Sequence, residues 1–469
     1  MKKNCSLSFL FGVLVITSLS ISSCNKDIIF ADSALIGANV SDLDNNTWIY
    51  NTMKEHYFWS DSMPVKDSTK LYLLPMDYFY SILYKNVDRF SWIEANATTL
   101  ANQLNGINTM LGIKVTPFLA APNQTTKYVF VIACVYKNSP ADSAGLKRGD
   151  VIMSVGGQEI TNTNYNTILS APSSLLGMGE YTGTYFEPLP ASFNKTITKS
   201  VVQIKPILNE TILDFGAKKV GYFAYLQFLK DYDDELRGVF GRFKEANINE
   251  LVIDLRYNGG GYVSSSNLLS ALIVNPSQFG NVMNTKIYNK TISLDFKNDS
   301  VTKFESQANN IGNQIQRVFI LTSQNTASAS ELIINNLKPF MEVILVGENT
   351  YGKNVGSHTI TNSNKKYKYA LQPITFKILN SVGESDYGTT AGFTPQNLIG
   401  DTLLPYYQLG DQNETFLKTA LTVMGVDFTN RISGINKIKK TGFARPQRLT
   451  ISDNRELDRN DMWANPINK

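Results

Sequence analysis

Two short runs of this chain could carry chemistry. Thr326-Ala327-Ser328-Ala329-Ser330-Glu331 stands where the apolar strand pattern Val318-Phe319-Ile320-Leu321-Thr322 gives way to helical spacing. A serine there is placed to act as a nucleophile, because amides at a helix N-terminus point at negative charge forming on a substrate oxygen. Its hydroxyl needs a base, and histidine is scarce. Only two are present; His358 is the candidate for a Ser-His arrangement, because His56 falls in a distant part of the chain. Thr350-Tyr351-Gly352-Lys353 offers a different base. A lysine can take a proton if burial strips its solvent. Its pKa must then fall from ~10.4 toward ~7, at roughly 4 to 5 kcal/mol against the charged form. From spacing alone a structural reading stays open, with Thr326 or Ser328 as a helix N-cap and Glu331 in the first turn.

The elements around these runs fall into several parts. From about 40 to 105 aromatics recur at helical spacing, as in Trp48-Ile49-Tyr50, Met53 and Tyr57-Phe58-Trp59, with Asp88-Arg89-Phe90-Ser91-Trp92 closing the stretch. That pattern predicts a small helical domain, with His56 as a structural side chain. From about 106 to 205 short strand patterns take over, among them Tyr128 to Val135, where Cys134 reads as an inert core residue. From about 206 to 430 strands and helices alternate. Leu251 to Arg256 is a buried strand pattern opening into Tyr257-Asn258-Gly259-Gly260-Gly261, Asp233 to Asn247 an amphipathic helix, and Val343 to Gly347 another buried strand. Such alternation predicts a sheet covered by helices. The stretch 431–469 is basic and polar and reads as a loose tail.

Composition bounds the rest. The chain has 469 residues, 43% hydrophobic and 18% charged, which is the profile of globular protein and fits about three domains. A net charge of +4 gives no argument for a nucleic-acid partner. Two histidines and three cysteines cannot build a His-rich or Cys-rich metal site, and no cofactor is expected. Lys2 and Lys3 precede an apolar run from about Leu7 to Leu19, then Ile21-Ser22-Ser23-Cys24. A charged start, a short apolar stretch and small residues make a secretory signal over 1–23. The ending resembles the bacterial lipobox, which implies cleavage before Cys24 and its lipidation. The expected location is then the bacterial cell envelope, lipid-anchored on the periplasmic or surface face of an outer membrane. A plain signal peptide with a chance cysteine is the alternative.

The run SPADSAGLKRGDVIMSVGG (Ser139 to Gly157) resembles the PDZ domain. In that family the loop corresponding to Met110 to Ile113 offers backbone N–H groups to a peptide's C-terminal carboxylate, and the peptide adds as a strand. Leu111, Gly112 and Ile113 are the peptide-binding residues this implies; Gly112 suits a loop whose dihedrals a side chain would obstruct. A PDZ fold used only as a spacer is the other reading.

The larger pattern, with DLRYNGGG, TASASE and YGK in order behind a helical region and a PDZ domain, resembles the carboxy-terminal processing peptidases, or tail-specific serine proteases. The resemblance implies a multidomain α/β (α+β) architecture: an N-terminal helical domain at 24–105, a PDZ domain at 106–205, an α/β serine peptidase domain at 206–430 and a basic tail at 431–469. It implies a Ser/Lys dyad with Ser328 as nucleophile and Lys353 as general base. The oxyanion hole falls to the amide of Ala329 and to Gly260 or Gly261, and Glu331 matches a carboxylate that supports the site. Three positions depart from the family pattern: Gly259 stands where a proline is common, Ser357 where a lysine-orienting glutamine is common, and Gln396 where an acid is common. The implied activity is endopeptidase cleavage of exported or cell-envelope proteins with exposed C-termini, with an adaptor or activator lipoprotein as a further partner. The rival is a non-catalytic PDZ scaffold lipoprotein that presents tails without cutting them.

Overall fold

The structure is a computed structural model that describes residues 40–121, 124–362, 366–401, 404–426, 451–452 and 462–468. The signal segment and Cys24 lie outside the described residues. Helices α1 (Val40–His56) and α2 (Pro75–Ser81) pack through buried Ile49, Met53, Tyr57, Tyr78 and Phe79. Pro75 opens α2, where a missing N–H costs nothing. The Tyr57 hydroxyl donates to Asp88 at 2.7 Å, and the other Asp88 oxygen accepts from the amides of Phe90 and Ser91. A short strand β1 (Trp92–Glu94) and helix α3 (Ala97–Leu104), capped by Asn96, complete this region.

The second region is a β-structure: β2 (Ile107–Met110), β3 (Ile113–Leu119), β4 (Lys127–Val135), the short helix α4 (Pro140–Ser143), β5 (Val151–Val155), β6 (Gln158–Thr161), β7 (Ser173–Tyr181), β8 (Phe186–Pro188), β9 (Lys195–Thr198) and β10 (Ser200–Gln203). Its main sheet runs β3-β4-β6-β5-β7-β8, with β9 on β7 and a separate β2–β10 ladder. The SPA run does local work. Ser139 caps α4, the Ala141 amide donates to the Leu111 carbonyl, and the Tyr136 amide donates to that of Gly112.

The third region continues with β11 (Ile207–Asp214), β12 (Lys219–Tyr225), α5 (Asp233–Glu245), β13 (Glu250–Asp254), β14 (Gly261–Tyr262), α6 (Val263–Ile273), β15 (Val282–Tyr288) and β16 (Val301–Lys303). After them come β17 (Arg317–Thr322), α7 (Ala329–Leu337), β18 (Glu342–Gly347), β19 (Val355–Thr361), β20 (Ala370–Gln372), β21 (Ile374–Asn380), β22 (Asn397–Leu398) and α8 (Thr415–Val423). One sheet has the order β11-β12-β13-β17-β18-β22 and is parallel from β12 onward. Its inner strands are apolar on both faces because both are covered. Leu251, Ile253 and Ile320 face Leu236, Phe240, Leu269 and Ile333 of α5, α6 and α7. Val252 and Phe319 face the opposite way, into a core that also holds Ile113, Phe130, Phe416 and Leu417. The PDZ-like sheet and α8 thus close the second face.

A second sheet, built on β1-β20-β19-β21-β15-β16, was not anticipated from the sequence. Through β1 the amino-terminal region, expected to be a small helical domain, also supplies a strand to it. Residues 431–469, read as a loose basic tail, include two strands, β23 (Ile451–Ser452) and β24 (Met462–Asn468). β24 pairs with β14 and β19, and Met462 is buried in a cluster with Phe376 and Ile378. Apolar burial and ladder bonds place this piece, which outweighs the charge count that suggested a free tail.

Where the PDZ-like region meets the end of β13 and the start of α8 lies a buried charge cluster. Arg256 donates to both oxygens of Asp254 (2.9 and 2.8 Å) and both of Glu414 (2.6 and 2.8 Å), with no exposed side-chain surface. Arg148, from the Gly145 to Asp150 turn, donates to the Tyr257 hydroxyl at 2.6 Å and lies 3.4 Å from Asp401 and Glu414. Burial would push the Glu414 carboxyl up, but Arg256 and Arg148 beside it hold it below the usual value. Arg256→Met removes the charge and leaves three carboxylates, Asp254, Asp401 and Glu414, with the Arg148 guanidinium as their one cationic partner in the cluster. It is expected to cost about 3–5 kcal/mol, read as a lower urea midpoint. An unchanged midpoint would show that the cluster is not required.

Candidate active site

The serine turn is built against the end of β13. The Thr326 hydroxyl donates to the Leu255 carbonyl at 2.8 Å, and the Ser323 hydroxyl donates to that of Arg256. The Ala327 amide and the Ser330 hydroxyl both reach the Asn258 carbonyl, at 3.2 and 3.0 Å. Held this way, Ser328 adopts φ 65° and ψ −115°. The other two non-glycine residues with positive φ among the described residues are asparagines, which tolerate that region; a serine there stores about 1–3 kcal/mol of strain. Its Oγ is buried and makes no hydrogen bond. Ser328 sits at the N-cap position of α7 in a capping-box arrangement, whose firm bond is the one from the Ser328 amide to Glu331. Ala329 is the first residue of α7, so its amide has no acceptor within the helix.

Lys353 leaves the end of β18 on the neighbouring turn and is fully buried. Its Nζ stands 5.0 Å from the centre of the Phe90 ring. Gly352 has φ +85°, and a Cβ there would lie 1.6 Å from the Thr389 carbonyl oxygen, so no side chain fits. Glu331 joins the two turns. One carboxylate oxygen accepts from the backbone amides of Ser328 and Lys353, each at 2.8 Å. The other accepts from the Thr350 hydroxyl at 2.5 Å and the Gly352 amide at 2.7 Å. Burial pushes this carboxyl up to about 7, and the four donors work against that rise.

The glycine run closes the third side. The Asn258 amide group donates to the Tyr225 carbonyl, and its Oδ1 accepts from the Gly260 amide at 2.9 Å. Gly260 and Gly261 have φ of +118° and +139°, and a Cβ on Gly261 would meet the Phe228 carbonyl oxygen at 2.2 Å. Gly261 and Tyr262 pair in register with Met462 and Trp463. The residue at 259 is not among those with positive φ, so a glycine is needed at 260 and 261 and not at 259.

The structure brings Ser328, Lys353 and Glu331 into one connected set, with Ala329 and the glycine run beside it. His358 is elsewhere. Its Nδ1 shares a 2.7 Å hydrogen bond with Thr375 Oγ1, and its ring packs against Phe296, Phe376 and Tyr288. Burial, with Lys286 and His56 adding to it, pulls its pKa down to about 3. Ser357 is spent within the second sheet, donating to the Met462 carbonyl and accepting from Gln372. Gln396 is structural, accepting from the Leu345 amide at 2.8 Å. Leu111 and Gly112 lie between β2 and β3, whose first residue is Ile113, with Gly112 at φ +97° pressed against Ser139. Three contributions escaped the sequence reading. Thr350 donates to Glu331, Asn258 holds Gly260, and the Arg89 guanidinium donates to the Gly352 carbonyl at 3.0 Å while Phe90 lies under Lys353. The cation-aromatic pair Arg89-Phe90 was the one visible signal for the last.

Glu331→Gln keeps the shape but turns an NH₂ toward two of the four donors. Each buried group left unsatisfied costs about 1–3 kcal/mol, so both the melting temperature and kcat should fall. A variant with wild-type stability and turnover would remove Glu331 from the site's support.

Residues 219–396 match the family model described as Peptidase family S41, 44–92 the Peptidase S41 N-terminal domain and 131–170 the PDZ domain. A CtpA-like serine protease of Staphylococcus aureus (strain COL) is 21% identical over 474 residues, covering 98% of this chain and 88% of that one. A carboxyl-terminal-processing protease of Synechocystis sp. (strain ATCC 27184 / PCC 6803 / Kazusa) is 24% identical over 258 residues, covering 54% of each chain. The crystal structure of an S41 protease from Bacteroides fragilis NCTC 9343 superposes with a TM-score of 0.68 at 25% identity, covering 81% of this chain and 97% of that one.

Proposed function

Because the chain belongs to peptidase family S41 and is a serine peptidase acting on protein or peptide substrates, we propose that it works through a Ser328/Lys353 dyad on proteins whose C-terminal tails it captures. The observation that carries this reading is the shared carboxylate. Glu331 ties the backbones of Ser328 and Lys353 to one oxygen, and Ser328 Oγ is left buried and unbonded on a strained turn. A hydroxyl with no competing hydrogen bond is poised to give its proton to an incoming base.

In the proposed cycle the free amine of Lys353 accepts the Ser328 proton as Oγ bonds to a peptide carbonyl carbon. The amide of Ala329 and one from the Gly260-Gly261 pair stabilise the oxyanion. Gly260 already donates to Asn258, which favours Gly261 for this role. As the C–N bond breaks, the Lys353 ammonium protonates the leaving amine. Water, deprotonated by Lys353, then attacks the acyl carbon; the bond from that carbon to Ser328 Oγ breaks, the Lys353 ammonium returns its proton to Oγ, and the new carboxylic acid leaves. No metal or cofactor takes part in this scheme. The PDZ unit would hold the tail by its carboxylate at Leu111, Gly112 and Ile113, and the signal segment with Cys24 supports export and lipid anchoring in the bacterial envelope. An adaptor lipoprotein remains a partner class for substrate delivery.

The test compares chains beginning at Asn25: wild type, Ser328→Ala and Lys353→Ala. The substrate is an unfolded protein with an apolar C-terminal tail, free or amidated. Each substitution should lower kcat by a factor on the order of 10⁴ or more. Amidation should raise KM for the wild type. Equal cleavage by all three chains would sink the dyad, and equal KM for both tails would sink carboxylate capture. Tail binding by a wild type that does not cut would favour the scaffold role.

A further inference from the structure

We propose that Ile451–Ser452 is an internal ligand of the peptide-binding edge, competing with the tails of substrates. This rests on the tail-capture reading above. β23 pairs antiparallel with β3, Ile451 opposite Val115 and Ser452 opposite Lys114. β3 starts at Ile113, directly after the carboxylate loop, and runs away from it. The step from Ile451 to Ser452 therefore moves toward the loop. A captured tail, its carboxylate at Gly112, must run in that same direction along the same edge.

The other edge of β3 is not available, because β4 pairs with it from Ile113 opposite Val135 to Leu119 opposite Tyr128. β23 is the outermost strand of that sheet. One further observation agrees that the edge is covered. All seven residues of β3 are buried, including Lys114 at 4% exposure and Thr116 at 0%, whereas an open edge strand shows polar residues to water.

Among the described residues the pairing spans two residues of β23. A substrate tail that extends along the whole of β3 forms a longer ladder and can displace it. Until then the tethered segment acts at an effective concentration in the millimolar range, and weak tails lose the competition. The device would set a threshold on which tails are admitted.

The experiment uses the chain from Asn25 in a Ser328→Ala background, so that the probe is not consumed. Ile451→Pro/Ser452→Pro removes the ladder donors, and Ile451→Ala/Ser452→Ala keeps them. The probe is a fluorescein-labelled decapeptide with an apolar last residue and a free carboxylate. The proline pair should bind it about tenfold or more tighter than either other chain, with faster hydrogen exchange at the β3 amides before peptide is added. Unchanged exchange and unchanged affinity in the proline pair would overturn the proposal while leaving tail capture intact. Faster exchange with no peptide binding in any chain would instead overturn tail capture, and with it the competition.

Discussion

One carboxylate sets the geometry on which the candidate site depends. The serine and lysine turns leave the C-terminal ends of two adjacent parallel strands, the side of such sheets where ligands bind. Strand spacing brings the turns near one another, but it does not fix their angle. Glu331 does, because its two oxygens collect four donors from both turns. A carboxylate with no exposed surface would be costly if its oxygens were idle. Here each oxygen has two partners, so the fully hydrogen-bonded geometry is also the low-energy one. The positive φ of Ser328 and the glycine at 352 are the backbone conditions that let both turns reach the same group.

The glycine run is anchored from the other side. Arg256 stands two residues past the end of β13, and its guanidinium locks that strand end to Glu414, which in turn caps α8 by accepting from the Phe416 and Leu417 amides. The next residue, Tyr257, spans Arg148 and Asp401. Asn258 and Gly260 thus emerge from a fixed point. A cluster of two arginines and three carboxylates in an apolar surround is not an efficient way to gain stability. It does specify orientation, since planar guanidinium forks accept few alternative arrangements.

Much of this was legible in the sequence for identifiable reasons. Buried parallel strands read as unbroken apolar runs, and α5 carries its apolar face at helical spacing, so the peptidase sheet and its helices were expected where they occur. Cys134 was expected to be inert and is buried, its thiol pushed up to about 11 by loss of solvent. The second sheet was not legible. β19 reads Val-Gly-Ser-His-Thr-Ile-Thr, and it is buried because neighbours from distant parts of the chain cover it. Nothing local announces those neighbours. Ser328 and Lys353 could be singled out by motif, but the four bonds to Glu331 depend on turn dihedrals that a string of residue types does not encode. Phe90 reached Lys353 through the docking of the amino-terminal region, a long-range event with no periodic signature.

The apolar core shared by the PDZ-like sheet and the peptidase sheet makes the two units thermodynamically inseparable. Ile113 and Phe130 belong to the same cluster as Val252 and Phe319. Whatever binds the β3 edge therefore stabilises β13 and β17 by linkage, by about 2.7 kcal/mol at a ligand concentration one hundred times its Kd. Occupancy of the β3 edge becomes readable as heat resistance of the peptidase sheet, through mass action alone.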